Sequence, residues 1–555
     1  MAGFRGRTTE NHIMKKYIYI LVTALTLSAC VRDLDTLPLN ATDPIAEYVY
    51  GNSEEAYLQG LTRLYFQFAT NDLTDLQSMD GGASELVRAF WSVQETSTDE
   101  AKCSWGNDAW VRALNTNTWS GAQNDAVYAV YVRTLQGISY VNEYLRQTTP
   151  EKLSERGVDA TLVAKIDEFR AEARFLRAYM YWMALDTFGS VPFITENSPI
   201  SGAYYPRQAS RSDIFNYCVS ELEDLISEDS PLHAPGHLYP RADKGAAAGL
   251  LARMYLNAEV YTGAPMWLQA KQVCEQIFGM GYSLCPDYAW LFRGDNGQNL
   301  AARDEFLWAI DYSNAGTQSY GGTFYLMAAA LASTDITDFS RPNGQRHGWA
   351  GLRVPYEFVG KHFAVTGQNY ETGEYQIADT RGKMFYIKGR HQSMEDNLYD
   401  YMYGWSCLKF NNIPHDQTNE SFLSTSAIKD FSDADFPMIR LAEIYLIYAE
   451  ACMRLTDASV AMPYMAELAS RAGVAPPSEI TEEFLVAERG RELMWEGHRR
   501  TDLIRFGLFH TDEYLWPYKG GDDFAGQAFP EYKCIFALPQ TELAANPYLV
   551  QNPGY

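Results

Sequence analysis

From Asp167 to Phe188 the apolar residues Phe169, Ala173, Leu176, Met180 and Met183 recur at spacings of three and four. That period lines up one face of a helix, and Gly189 and Pro192 supply its stop. A second segment of the same kind runs from Ala242 to Val260, with Leu250, Leu251, Met254, Tyr255 and Ala258 on its face. The stretch Trp267 to Met280 is expected to be its antiparallel partner, joined through the turn Gly263 to Pro265. Arg440 to Arg454 and Glu482 to Phe506 again read as helices. A helix with one apolar face must bury it against a neighbour, so the chain is expected to be mostly α, built of paired helices. No 34-residue repeat consensus is visible by eye, yet pairs joined by short turns are compatible with a helical-repeat scaffold. The region from about Pro286 to Pro437 differs: rich in Gly, Asn, Asp and aromatics, it has weak periodicity and reads as loops, short strands and short helices. Loops carried on a rigid scaffold are the usual place for a binding site.

The first thirty residues set the compartment. Lys15 and Lys16 precede an uncharged stretch, Tyr17 to Leu27, and then Ser28, Ala29 and Cys30. A basic start, a short apolar run and small residues before a cut make a secretory signal; a permanent transmembrane helix needs about 20 residues. LTLSAC has the form of a bacterial lipobox, so residues 1–29 are expected to be a signal peptide and Cys30 a lipidated N-terminus. The translation start is either Met1 or Met14.

Charge and cysteines narrow the class further. With 70 acidic against 45 basic residues the formal net charge is -25, which repels phosphate backbones and anionic lipid. Nucleic acid is therefore not an expected partner, and membrane contact is expected through the lipid anchor alone. Cys103, Cys218, Cys274, Cys285, Cys407, Cys452 and Cys534 are scattered without CxxC spacing, so no zinc site or disulfide framework is evident. A Cys274–Cys285 pair is the alternative to ordinary buried thiols. The 12 Trp, 38 Tyr and 27 Phe are read mostly as core, with a minority free to serve a site that is part apolar and part wet.

Several stretches together resemble the SusD/RagB family. They are CVRDLDTLP after the lipobox, AEARFLRAYMYWMALDTFGSVPF at 171–193, RADKGAAAGLLARMYLNAEVYTG at 241–263, FPMIRLAEIYLIYAEACMR at 436–454, ERGRELMWEGHRRTDLIRFG at 488–507 and the closing ALPQTELAANPYLVQNPGY. The resemblance implies a mostly α fold: a tetratricopeptide-like helical-repeat scaffold with an irregular, loop-rich half that carries the ligand site. On this reading residues 30–45 are a lipidated tether and 46–555 one SusD-like domain, with the scaffold at about 46–285 and 436–510 and the binding region at about 286–435. It also implies a surface-exposed outer-membrane lipoprotein that sits as a lid over a SusC-like TonB-dependent transporter and binds sugar without cleaving it.

Within the family the chain looks closest to the starch-binding branch, in which an arc of aromatics follows the curve of an α-glucan, flanked by an arginine and an asparagine. The matching positions are Arg88, Trp105 in CSWGND, Tyr320 in SYGGTFYL and Trp349 in HGWAGL, with the asparagine at Asn107 or at Asp108. One departure stands out. Starch-binding members carry a second tryptophan two positions before the match to Trp105, and here that residue is Cys103. Loss of a ring is expected to weaken or reshape the arc, and leaves another glucan linkage, another glycan or a peptide open as cargo.

The residues themselves allow other roles. Trp105, Tyr320 and Trp349 lie in Gly- and Asn-containing segments off periodic helix faces, which suits an exposed loop surface; a satellite core beneath the loops is the alternative. Arg88 offers a planar fork of donors to sugar hydroxyls, or pairs structurally with Glu85 or Glu95. Glu488, Glu492 and Glu496 stand four apart beside Arg491, Arg499 and Arg500. Paired carboxylates could suggest a glycosidase, but ion pairs within a helical scaffold are the preferred reading. No GxSxG or HExxH motif supports an enzyme. No cofactor is expected; Asp295, Asn296, Asn299 and Asp304 offer oxygen ligands that suit calcium, although a solvated loop is preferred because the spacing is not that of an EF-hand.

Overall fold

A computed structural model describes residues 50–71, 82–122, 124–202, 204–236, 238–337, 340–425 and 428–555. The signal segment, Cys30 and the tether to residue 45 lie outside the described residues. The chain divides into a short unit, Met1–Ser53, and a main unit, Glu54–Tyr555, which carries the elements named here.

The first half of the main unit is a run of helices: α1 Glu54–Ala69, α2 Leu86–Glu95, α3 Asp125–Gln147, α4 Ala160–Phe188, α5 Arg211–Ile226, α6 Lys244–Leu256 and α7 Trp267–Phe278. Neighbours in sequence are neighbours in space, with α2 on α3, α3 on α4, α4 on α5, α5 on α6 and α6 on α7. That succession is what a stack of helical hairpins produces. Helix α4 begins at Ala160, earlier than its apolar pattern suggests, because Asp159 caps it by accepting from Thr161 N and Leu162 N. Gly189, at φ 72°, ends it. From Ala171 to Phe188 most of its side chains are buried, on every face, because α1, α3 and α5 surround it. Its charges are paired in consequence: Arg177 meets Glu196 and Glu221, and Glu172 meets Arg241.

Between residues 286 and 435 the longest helices among the described residues have eight residues, α8 Gly322–Ala329 being one of them. Short antiparallel pairs join this region to the scaffold. Strand β1, Lys102–Cys103, pairs with β3, Leu352–Arg353; β2, Phe306–Ile310, pairs with β4, Phe436–Arg440, and both of these are buried throughout. Helix α9, Leu441–Arg454, then packs on α6 and α7, followed by α10 Met462–Ala472, α11 Glu482–Glu492 and α12 Arg499–Arg505.

Two expected helices are each divided. The one over 242–260 is interrupted at Asn257, which separates α6 from the short helix Ala258–Thr262. The one over 482–506 is broken at residues 493–498, where Trp495 stands at φ 64° and Gly497 at φ 83°. Buried carboxylates at the end of α2 and in the turn after it compensate the freed amides: Glu100 Oε2 accepts from Trp495 N at 3.0 Å, and Glu95 Oε1 from Gly497 N at 2.6 Å. Burial pushes Glu95 up to about 7.

The scaffold and the irregular region are locked by ion pairs in the interior. Arg440, at the end of β4, meets Glu305 at 2.9 Å, Glu492 at 2.6 Å and Glu496 at 2.7 Å. Arg381 joins Glu488 and Glu492, Arg471 joins Glu305 and Glu492, and Lys409 joins Glu496. Burial alone would raise Glu492, yet Arg471, Arg440 and Arg381 hold it well below the usual carboxylate range. The glutamates are thus ion-paired: Arg491 meets Glu488 on the same helix at 2.6 Å, and the other partners come from distant segments. Arg499 instead meets Asp99 at 2.8 Å, Arg500 donates to the Cys534 carbonyl, and Glu496 lies beyond the end of α11. The seven described cysteines are unbonded, six of them buried.

Candidate functional site

Three of the aromatic residues singled out by sequence meet on one surface, held there mainly by main-chain contacts. Helix α8 is buried along its length, and the last carbonyls of a helix need external donors. The segment 349–351 supplies them: Trp349 N donates to Ala328 O at 2.7 Å, Gly351 N to Ala329 O at 2.9 Å, and Ala350 N to Leu331 O at 2.8 Å. Trp349 is thereby fixed beside the helix end. Strand β1 then docks on the same segment, with Ser104 N donating to Gly351 O at 2.9 Å. The indole N–H of Trp105 donates to Trp349 O at 3.2 Å. A Cβ on Gly351 would lie 2.7 Å from the Trp105 ring, and one on Gly106 would lie 2.6 Å from the Tyr399 ring, so both approaches require glycine.

Tyr320 is placed from below. Glu85 caps α2 by accepting from Arg88 N at 2.7 Å, accepts from Gly322 N at 2.9 Å, and accepts from the Tyr312 hydroxyl. One buried carboxylate thus ties α2 to the chain entering α8, and burial pushes it up to about 7. Arg88 Nη1 donates to the Tyr320 carbonyl at 3.3 Å.

The rings form a curved row. Trp105 and Trp349 are 6.5 Å apart with planes at 52°, and Trp349 and Tyr320 are 6.3 Å apart at 35°. Tyr320 is 44% exposed, and Trp105 and Trp349 are half-buried. Phe324 backs Trp349 at 5.2 Å and Phe431 extends the row 5.2 Å beyond Tyr320. Tyr325 lies behind Trp105 at 6.1 Å. Sequence reasoning does not single out Phe324 and Tyr325, although they stand in the same SYGGTFYL stretch, where the Phe324 ring lies 5.6 Å from that of Tyr320. Phe431 has no local signal at all. Adjacent rings that are tilted, not coplanar, suit a ligand whose successive sugar faces turn along the chain.

The polar candidates fall differently. Arg88 is 1% exposed, with its guanidinium 4.1 Å over the Tyr325 ring and 6.0 Å from Trp105. It therefore positions the arc from behind; it does not present a fork of donors to solvent. The pairing with Glu95 is replaced too, since that carboxylate serves Gly497 and His498. Asn107 and Asp108 are exposed in the turn after Trp105, and Asp108 N-caps the short helix Ala109–Asn115 without a side-chain cap bond. Cys103, read as a missing ring of the arc, is fully buried in β1 and pushed by burial up to about 12. The thiol therefore does not line the surface of the arc.

Three of the four residues read as calcium ligands are held by protein partners. Asn296 is fully buried, donating to Leu291 O and Asp435 O, Asn299 caps the short helix Leu300–Arg303, and both oxygens of Asp295 accept from His415. Among the described residues the set that comes within 4.8 Å is instead Asp295, His415 and Asp416. No helix among the described residues is long and apolar enough to cross a membrane.

Comparison with known proteins is consistent along the chain. The family model described as "SusD family" matches residues 304–555, and the one described as "Starch-binding associating with outer membrane" matches residues 74–256. The starch-binding protein SusD of Bacteroides thetaiotaomicron is 30% identical over 97% of both chains. A SusD-like protein of Bacteroides ovatus is 24% identical, covering 90% of this chain and 84% of that one. Among solved structures, a SusD superfamily protein from Bacteroides vulgatus superposes with a TM-score of 0.65 at 17% identity, over 91% of this chain and 99% of the other. A laminarin-binding SusD-like protein gives 0.63 at 22%, over 91% and 100%.

Proposed function

The chain belongs to the SusD family, and from that premise we propose that it is a non-catalytic, surface-exposed outer-membrane lipoprotein that captures starch-like α-glucan oligosaccharides and passes them to a SusC-like TonB-dependent transporter. The observation that carries the cargo assignment is the tilted row Trp105, Trp349 and Tyr320. An α-1,4-glucan coils, so the apolar faces of successive glucose units turn; a flat β-1,4-glucan presents them in a plane. Rings at 52° and 35° to their neighbours match the former. In this reading Asn107, Asp108 and the Tyr320 hydroxyl serve the sugar hydroxyls at the rim, while Arg88 holds the Tyr320 main chain in place. The relative that is 30% identical is itself named a starch-binding protein, which supports the same cargo. Anchoring rests on Cys30, whose acyl chains hold the protein at the membrane.

The way the acids are used supports binding in place of hydrolysis. A glycosidase needs one carboxyl kept protonated near neutral pH and a second one ionised across an open cleft. Glu488 and Glu492 are held low by buried arginines, and Glu95 is fully buried beneath α12. Native gels containing amylopectin test the proposal: the protein is retarded, Trp349→Ala is not, and no oligosaccharide is released from amylopectin or pullulan. Free migration of the wild type, or release of maltooligosaccharides, contradicts it.

A further inference from the structure

A second cavity shares no lining residue with the arc. It has a volume of about 640 Å³ and opens between the turn Tyr288–Phe292, the turn Thr380–Met384, residues 408–419 and the end of α10. That size is within the range of small-molecule sites. Its wall contains groups whose bonding capacity the protein leaves unused. The main chain of Arg293 is fixed by a β-bridge to Asn411, and its half-buried guanidinium has no hydrogen bond or ion pair among the described residues. Burial lowers it, with Asp287 and Asp295 near enough to favour its charge but not in ion-pair contact. Arg471 gives two nitrogens to Glu305 and Glu492, while its buried Nε has no partner. Lys383 is exposed on the same wall, and the buried Oε1 of Gln417 lacks a donor.

A partly desolvated guanidinium without a protein partner favours an acceptor. A guanidinium fork matches a carboxylate. The surrounding protein is strongly acidic, with a net charge of -25, so a wall whose spare groups are mainly cationic runs against the general field. The cavity is far larger than a bare ion, and Gln417, Thr418 and Asn411 add neutral groups of the kind that meet hydroxyls. We propose that this cavity is a second ligand site, taking an acidic sugar of one or two rings, with Arg293 as the partner of its carboxylate. The site is independent of what the arc binds.

Calorimetry on the soluble protein with D-glucuronate and digalacturonate as probes, and D-glucose and inorganic phosphate as controls, tests it. Saturable binding of at least one uronate is expected, with no heat from glucose and much weaker binding of phosphate. Arg293→Gln is expected to weaken the uronate at least about tenfold, and Trp349→Ala to leave it unchanged. Because Arg293 has no protein partner, its replacement is expected to leave the melting temperature unchanged or raised. Absence of binding by both uronates, equal affinity for phosphate, retention in Arg293→Gln, or loss in Trp349→Ala each overturns the proposal. A large fall in melting temperature of Arg293→Gln without ligand also overturns it, by showing a structural role.

Discussion

The indole N–H of Trp105 donates to the main-chain carbonyl of Trp349 across 3.2 Å, joining two rings of the arc that are 244 residues apart in sequence. The bond fixes their mutual tilt without any side chain between them, so the shape of the surface depends on the backbone of segment 349–351. Trp105→Phe keeps a ring but loses that tie. A single hydrogen bond contributes about 0.5–1.5 kcal/mol, so α-glucan affinity is expected to fall roughly two- to tenfold, less than in Trp105→Ala; titration calorimetry distinguishes the two.

Gly351→Ala tests the same geometry without touching an exposed atom. The added Cβ would stand 2.7 Å from the Trp105 ring, so the ring must shift from its place in the arc. Loss of most glucan binding is expected, with a modest fall in melting temperature. Unchanged affinity would mean that the ring's position does not govern binding.

Glu85 predicts a pH dependence. Its folded value is raised to about 7 by burial, above that of an unfolded glutamate, near 4.3. The folded state therefore retains a proton that the unfolded state releases, and stability falls as pH rises between those values. Glu85→Gln mimics the protonated form: its amide can donate to the Tyr312 oxygen and its carbonyl can accept from the amides of Arg88 and Gly322. Relative to wild type the variant is expected to gain up to about 3 kcal/mol at pH 8 and little at pH 4. Denaturant melts at the two pH values measure this; a gain independent of pH would contradict the assignment.

Arg440→Met removes the cation that serves Glu305, Glu492 and Glu496 together. Breaking a buried ion network from one side costs about 3–5 kcal/mol. A destabilisation of that size is expected in urea melts. Glucan affinity per folded molecule stays unchanged, because the network lies in the interior and apart from the arc.

What the sequence discloses follows the range of the forces involved. Helices α4 and α9 are legible because a 3.6-residue period is a local property. The break at residues 493–498 is not, because Trp495 adopts φ 64° only where Glu95 and Glu100, some 400 residues away in the chain, accept the freed amides. The arc is visible through short stretches that resemble a family: Trp105, Tyr320 and Trp349 do assemble. Two assignments of side-chain direction do not carry over. Arg88 is interior and Cys103 lies under the surface, and neither fact has a signature in spacing or composition. Phe431 joins Tyr320 across 5.2 Å from a segment that carries no motif.

The central claim is that tilted rings select a coiled glucan. Calorimetry of maltoheptaose against cellohexaose, on wild type and on Trp349→Ala, tests it most directly. The account predicts saturable binding of maltoheptaose, no detectable binding of cellohexaose, and loss of the former in the variant. Melting should shift by no more than about 2–4 °C. Equal binding of both sugars, or maltoheptaose binding that survives Trp349→Ala, would contradict it.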